Sequence, residues 1–181
     1  IMSNGRYFWG VKENFIESGT MYVPIRAIAS AFGMTVSWND GEFAAYVSRG
    51  DGTVTQWYEY YNGDEVYWLS KIIEAESRGE PMRGKIAVGN VVLNRVRSPE
   101  FPDTIYSVIF DRKYGVQFSP VADGSIGRDA SAESVIAAKL CLEGCSVSDS
   151  VLYFINASAA QDFWVPRHRP YVTTIGNHDF Y

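Results

Sequence analysis

Residues 64–98 read "DEVYWLSKIIEAESRGEPMRGKIAVGNVVLNRVRS", and the spacing predicts two consecutive helices. Asp64 is the best N-cap residue for the first, apolar residues recur at helical intervals through "EVYWLSKIIEAES", and Gly79 closes it. Pro81 suits the first turn of the second helix, which runs through "MRGKIAVGNVVLNRVRS" and breaks at Pro99.

Three glutamates lie near the junction. With Ile72 at zero and roughly 100° per residue, Trp68, Leu69, Ile73 and Ala75 define one apolar arc. Glu76 falls at about 40°, inside that arc. Glu74 falls at about 200°, with Ser70 and Lys71, on the side expected to face water. Glu80 lies beyond Gly79 and is assigned to the turn into the second helix. A carboxyl on a core-facing arc must be paired, protonated, or open to a cleft. Burial disfavours its charged form and raises its pKa, as a general acid working near neutral pH requires. A structural salt bridge from Glu76 to a second-helix arginine such as Arg95 fits the same pattern, and the pattern leaves both readings open.

The whole chain has 181 residues, of which 46% are hydrophobic, enough for one packed domain, or for one plus a small appendage. Its net charge of −5 argues against a nucleic-acid binder. Twelve Tyr and five Trp raise the aromatic share to 15%, which suits a carbohydrate cleft as well as a ring-rich core. No apolar run approaches the ~20 residues of a membrane-spanning helix. The chain begins at Ile and shows no signal-peptide pattern, so a trimmed or mature form is expected.

Two textures divide the chain into residues 1–58 and 59–181. The first is strand-like, with a short helix carrying Ile25, Ile28, Ala29 and Phe32 that stops at Gly33. "MTVSW" and "EFAAYVS" flank an "NDG" turn, and "TVTQWYEYY" continues the meander. The second texture is helical. It adds a third helix, "DASAESVIAAKLCLEG", a loop-rich stretch before it, and strands in "SVLYFINAS" and near the C-terminus. The expected class is α+β.

Other chemistries find less support. His168 and His178 lack zinc-site spacing with any carboxylate or cysteine. Cys141 and Cys145, one helical turn apart, are read as buried thiols, with a local disulfide as the alternative. They lack the helix-start placement that activates a nucleophilic thiol.

The segments "EAESRGEP", "GKIAVGNVVLNRVRSPEFPDTIYSVIF", "YGVQFSPVADGSI", "LYFINA" and "IGNHDFY" together resemble the SleB/CwlJ-type bacterial cell-wall hydrolases, the spore-cortex-lytic enzyme family, over residues 64–181. The resemblance implies a lysozyme-like α+β domain, mainly helical with a small sheet. It implies cleavage of the peptidoglycan glycan strand between N-acetylmuramic acid and N-acetylglucosamine, as a lytic transglycosylase forming 1,6-anhydro ends. The family's catalytic glutamate falls on Glu76, with no metal or other cofactor. A hydrolase would instead want a second carboxylate about 5–9.5 Å away, for which Asp123, Glu80 and Asp162 are the candidates. Amidase and non-catalytic wall-binding readings are the remaining rivals.

Gln117, Phe118, Ser119, Tyr153, Phe154, Asn156, Trp164 and His178 are the candidate substrate contacts that this resemblance implies, while Asn94 and Arg95 are expected to brace the helix pair. Ser77, where the family commonly has Ala, and "CLEGC" depart from its pattern. The stretch of residues 19–58, with "GTMYVPIRAIASAFGMTVSWNDGEFAAYVS", resembles the small copper-amine-oxidase N-terminal domain. It has no histidine, so no copper site is expected, and residues 1–58 are assigned an accessory role, packing on the enzyme or engaging the wall or a partner. Modules of this kind recur on secreted wall proteins, which implies an extracytoplasmic location.

Overall fold

The computed structural model describes residues 2–3, 5–7, 15–50, 57–113, 115–156 and 164–181. The chain divides into two units, Ile1–Asn62 with Glu143–Cys145, and Gly63–Leu142 with Ser146–Tyr181.

Among its described residues the first unit has three antiparallel strand pairs: β1 (Met2–Ser3) with β2 (Arg6–Tyr7), β3 (Phe15–Glu17) with β4 (Thr20–Tyr22), and β5 (Thr35–Asn39) with β6 (Ala44–Ser48). The expected helix is α1 (Ile25–Ala31), which buries Ala29 and Ala31 but leaves Ile25 and Phe32 largely exposed. Within "TVTQWYEYY" the structure corrects the strand reading. Trp57–Tyr60 forms a helical turn, α2, and residues 51–56 lie outside the described set. Tyr61 joins this unit through its hydroxyl, which accepts from Tyr7 N at 3.1 Å and donates to Glu143 Oε1 at 2.8 Å.

In the second unit, helix α3 (Gly63–Ser77) packs against α4 (Met82–Arg97), α5 (Ile105–Ile109) and α7 (Ala132–Leu142). Helix α3 begins one residue before Asp64, which therefore stands in the first turn rather than capping it, where its charge suits the helix dipole. Leu69, Ile72, Ile73, Val88, Val91, Val92, Ile109 and Ala137 form the core between the helices. Gly89 lets them approach closely. A Cβ there would stand 2.7 Å from Cys141 Sγ and 3.0 Å from Ile73 Cδ1. Cys141 and Cys145 are both buried thiols, as the plainer reading expected. The loop-rich stretch also contains α6 (Ser119–Asp123) and a 3-10 turn, Ser125–Gly127. After α8 (Trp164–His168), a small antiparallel sheet closes the unit in the order β7 (Phe154–Asn156), β9 (His178–Phe180), β8 (Thr173–Ile175). The expected α+β class is the one observed.

The supposed water-facing side of α3 is in fact covered. Ser70, Lys71 and Glu74 are all buried. The Lys71 ammonium donates to the carbonyls of Gly127 and Arg128 at 3.2 and 2.7 Å and pairs with Asp129 at 3.1 Å. Glu74 Oε2 accepts from Ser131 N, Ser131 Oγ and Ser134 Oγ at 3.1, 2.6 and 2.8 Å, and Oε1 pairs with Arg78 at 3.3 Å. The helical wheel assumed one covered face, whereas the start of α7 and the turn before it cover the opposite one. Burial pushes the Glu74 carboxyl up, but the serine hydrogen bonds and Arg78 together hold it below the ordinary range. Its stabilising contribution is therefore present above the unfolded-state pKa and lost as pH falls through the folded one. Glu74→Ala, which strands two hydroxyls and an N–H, is expected to cost about 2–3 kcal/mol in urea unfolding at neutral pH. A change within about 0.5 kcal/mol, the range of surface substitutions, would return Glu74 to the solvated face.

Candidate active site

Glu76 is the penultimate residue of α3, where the helix dipole presents its negative end and disfavours another negative charge. Its side chain is half-buried, and among the described residues no donor is hydrogen-bonded to its carboxyl. Burial is the largest influence on it and pushes its pKa up to about 7. The negative charge of Asp123 acts in the same direction, and Arg95 opposes both.

Asp123, at the end of α6, is exposed and accepts from Ser125 N at 2.8 Å. The hydrogen bonds from the Ser125 side chain and backbone hold it below the ordinary carboxylate range. It is therefore charged at pH values where Glu76 still carries its proton.

Arg95 lies in the last turn of α4 and is only 4% exposed. Its Nε donates to Leu152 O at 2.8 Å, and Phe101, Phe118 and Tyr153 surround the guanidinium, with ring centroids 4.9, 5.1 and 5.3 Å from Cζ. Burial lowers its pKa to about 10, against the opposing pull of Tyr153, Asp111 and Glu76, so it stays charged at neutral pH. It forms no direct ion pair with Glu76, which sets aside the salt-bridge reading. Nor does it brace α3 against α4. Arg95 and Asn94 fasten α4 to residues 148–152, with Asn94 Nδ2 donating to the carbonyls of Ser148 and Val151, each at 3.0 Å.

The remaining predicted residues divide by exposure. Ser119, at the start of α6, is exposed, and Gln117 is half-buried with its Nε2 donating to Gly115 O at 3.3 Å. Tyr153 lies between two guanidinium groups, Arg95 at 5.3 Å and Arg169 at 4.8 Å, and its hydroxyl accepts from Arg169 Nη2 at 3.1 Å. Trp164 is 46% exposed, stands 6.3 Å from the Tyr153 ring and stacks on His168 at 4.7 Å. Phe154 and Asn156 are half-buried on β7, where Asn156 pairs in register with His178. Phe118 and His178 correct the expectation of direct sugar contact, because both are enclosed. Phe118 backs the Arg95 guanidinium, and His178 packs edge-on to Phe154 at 5.2 Å with Nδ1 3.7 Å from Glu80. Burial lowers the His178 pKa, outweighing the opposing pull of Glu80 and Asp179.

Of the two candidate second carboxylates among the described residues, Asp123 and Glu80, Asp123 is the one that acts electrostatically on Glu76. Glu80 is buried and committed elsewhere, accepting from Asn177 N at 3.1 Å and Asn177 Nδ2 at 2.8 Å. Asp162 lies outside the described residues. Reading the sequence passed over Arg169, for which no spacing or neighbouring motif gave a signal.

A family model described as Cell Wall Hydrolase matches residues 79–181, beginning just past Glu76, and one described as Copper amine oxidase N-terminal domain matches residues 2–73. Spore cortex-lytic enzymes of Oceanobacillus iheyensis and Bacillus subtilis are 34% and 32% identical over 120 residues, 66% of this chain and 42% and 38% of theirs. The chain thus spans about two fifths of the length of these curated relatives. Among solved structures, the catalytic domain of the germination-specific lytic transglycosylase SleB from Bacillus anthracis aligns with a TM-score of 0.60 at 34% identity. The alignment covers 66% of this chain and 95% of that one. The catalytic domain of the Bacillus cereus SleB protein aligns with a TM-score of 0.59 at 34% identity, covering 66% and 91%.

The raised pKa of Glu76 has a consequence for stability. A carboxyl whose folded pKa lies above its unfolded value stabilises the fold fully below the unfolded pKa, and that contribution is lost as pH rises through about 7. Glu76→Gln keeps the shape without the ionisation. In urea unfolding it is expected to match the parent near pH 4 and to exceed it by about 1–3 kcal/mol near pH 9. Parallel pH profiles for the two proteins would show that burial does not strain this carboxyl.

Proposed function

Because the chain belongs to the cell wall hydrolase family, we propose that it cleaves the glycan strand of peptidoglycan between N-acetylmuramic acid and N-acetylglucosamine, acting as a lytic transglycosylase with Glu76 as its single acid and base. One observation supports this reading above the others: a half-buried carboxyl without a hydrogen-bonded partner among the described residues, whose pKa is pushed up to about 7. Such a group is protonated often enough to act as an acid and loses its proton readily enough to act as a base.

In the proposed reaction the Glu76 carboxyl gives its proton to the glycosidic oxygen as the bond from muramic C1 to that oxygen breaks. The resulting carboxylate takes the proton of the muramic C6 hydroxyl while that oxygen bonds to C1. The products are a 1,6-anhydro end and a free 4-hydroxyl, Glu76 regains its proton, and no water is consumed. A single carboxyl suffices because an internal hydroxyl stands in for water and its base. Asp123 favours the protonated state before the first step, and exposed Trp164 offers ring surface for sugar stacking. A hydrolase with Asp123 as second carboxylate is the rival to this mechanism. A wall substrate implies action outside the cytoplasm, and we assign residues 1–58 an accessory role beside the catalytic residues 59–181.

Digestion of purified spore cortex and vegetative peptidoglycan, followed by mass spectrometry of the soluble products, tests the proposal. Anhydro products, lighter by one water than reducing ends, are expected. Glu76→Gln is expected to slow their release by about 10²–10⁴-fold without loss of fold. Reducing ends alone would reject the transglycosylase in favour of the hydrolase, and near-normal turnover by Glu76→Gln would remove Glu76 from the chemistry.

A further inference from the structure

Arg95 is costly to keep. Its guanidinium is almost wholly enclosed, yet Nη1 has no hydrogen-bond partner among the described residues, and an unsatisfied buried N–H on a charged group is strongly unfavourable. Aromatic faces and the Leu152 carbonyl hold the group in place but leave this donor unused. The charges around it explain when the donor is needed. Arg95 faces Glu76 from α3 and Asp111 from the segment after α5, with the Tyr153 phenol beside it, and Asp123 faces Glu76 from α6. Across the Tyr153 ring, Arg169 is paired with Glu100 at 3.4 Å. While Glu76 is protonated, Asp111 is the carboxylate that Arg95 faces. Once Glu76 has given up its proton Arg95 faces a second carboxylate, which has no hydrogen-bond donor of its own among the described residues.

We propose that Arg95 is a positioning residue of this reaction: pinned at Nε and walled by three rings, it holds Nη1 ready for the carboxylate that Glu76 becomes after protonating the glycosidic oxygen. This rests on the reading of Glu76 as acid and base. A lysine cannot reproduce the arrangement, because one planar group must bond Leu152 with one nitrogen while presenting another. Losing the positive charge makes Glu76 a weaker acid, which slows proton donation and moves the alkaline limb of the pH–rate profile upward.

Arg95→Met is expected to lower kcat about 10–100-fold with little change in KM, and to raise the alkaline limb by about one pH unit. Arg95→Lys should return the limb towards its original position while recovering only part of the rate. A folded Arg95→Met whose limb has not moved overturns the proposal, whatever its rate. If that variant does not fold, nuclear magnetic resonance of the unaltered chain decides. The Arg95 Nε–H signal is expected to shift with the same midpoint as the Glu76 carboxyl carbon, and the shift should vanish in Glu76→Gln. An Arg95 signal that stays constant between pH 5 and 9 overturns it. An unaltered chain that releases nothing from peptidoglycan sinks the enzymatic reading instead, and leaves this titration result standing on its own.

Discussion

From Trp68 to Ser77 helix α3 is enclosed on nearly every side, so each polar group it carries there must find a partner inside the protein. The helix meets this demand almost throughout. Lys71 is held by two carbonyls and Asp129, Glu74 by two serines, Ser70 by Tyr67 O, and Ser77 by Ile73 O. Glu76 is the exception, and the protonated form is the cheapest answer to its position. Its raised pKa needs no special device beyond a half-buried place, the negative end of a helix dipole, a nearby Asp123 and the absence of donors.

The same enclosure explains which parts of this arrangement were legible in the sequence. The helices were legible because their apolar spacing and their Gly79, Pro81 and Pro99 stops are local signals. Glu76 was legible because it interrupts an apolar arc, a pattern one helix carries by itself. The state of Glu74 was not. Its neighbours Ser131 and Ser134 lie 57 and 60 residues away, and a helical wheel has no term for a second covering layer. Helices α5 and α6 were missed because each is only five residues long and sits among prolines and glycines that mark loops. The cage around Arg95 draws rings from three separated segments, a juxtaposition that no local spacing encodes.

The recurring segments that carry the family likeness therefore serve different physical ends. "IGNHDFY" looks like cleft lining in sequence, but its turn is an anchor. A side chain at Gly176 would fall within the Glu80 carboxylate, which instead accepts from both nitrogens of Asn177. His178 then fills the space between that carboxylate and Phe154. The backbone carbonyl of Glu80 is in turn held by the buried Lys85 ammonium at 2.6 Å. The turn that follows Glu76 is thus clamped from the second helix and from the C-terminal hairpin together.

This clamp bears on how one unpartnered carboxyl can keep a defined position. Among the described residues Glu76 has no hydrogen-bond partner to fix its direction, so its placement depends on the backbone at the end of α3. A loose turn at Gly79 would let that helix end fray and admit water, and the desolvation that sets the proton affinity would be lost. Glu80 supplies the rigidity by reaching a segment 97 residues away, and Arg95 supplies the charge opposite, held by Leu152, 57 residues from it. The hydrogen bonds that a stable carboxyl would make for itself are made by its neighbours instead, which leaves Glu76 fixed in place and still able to exchange its proton.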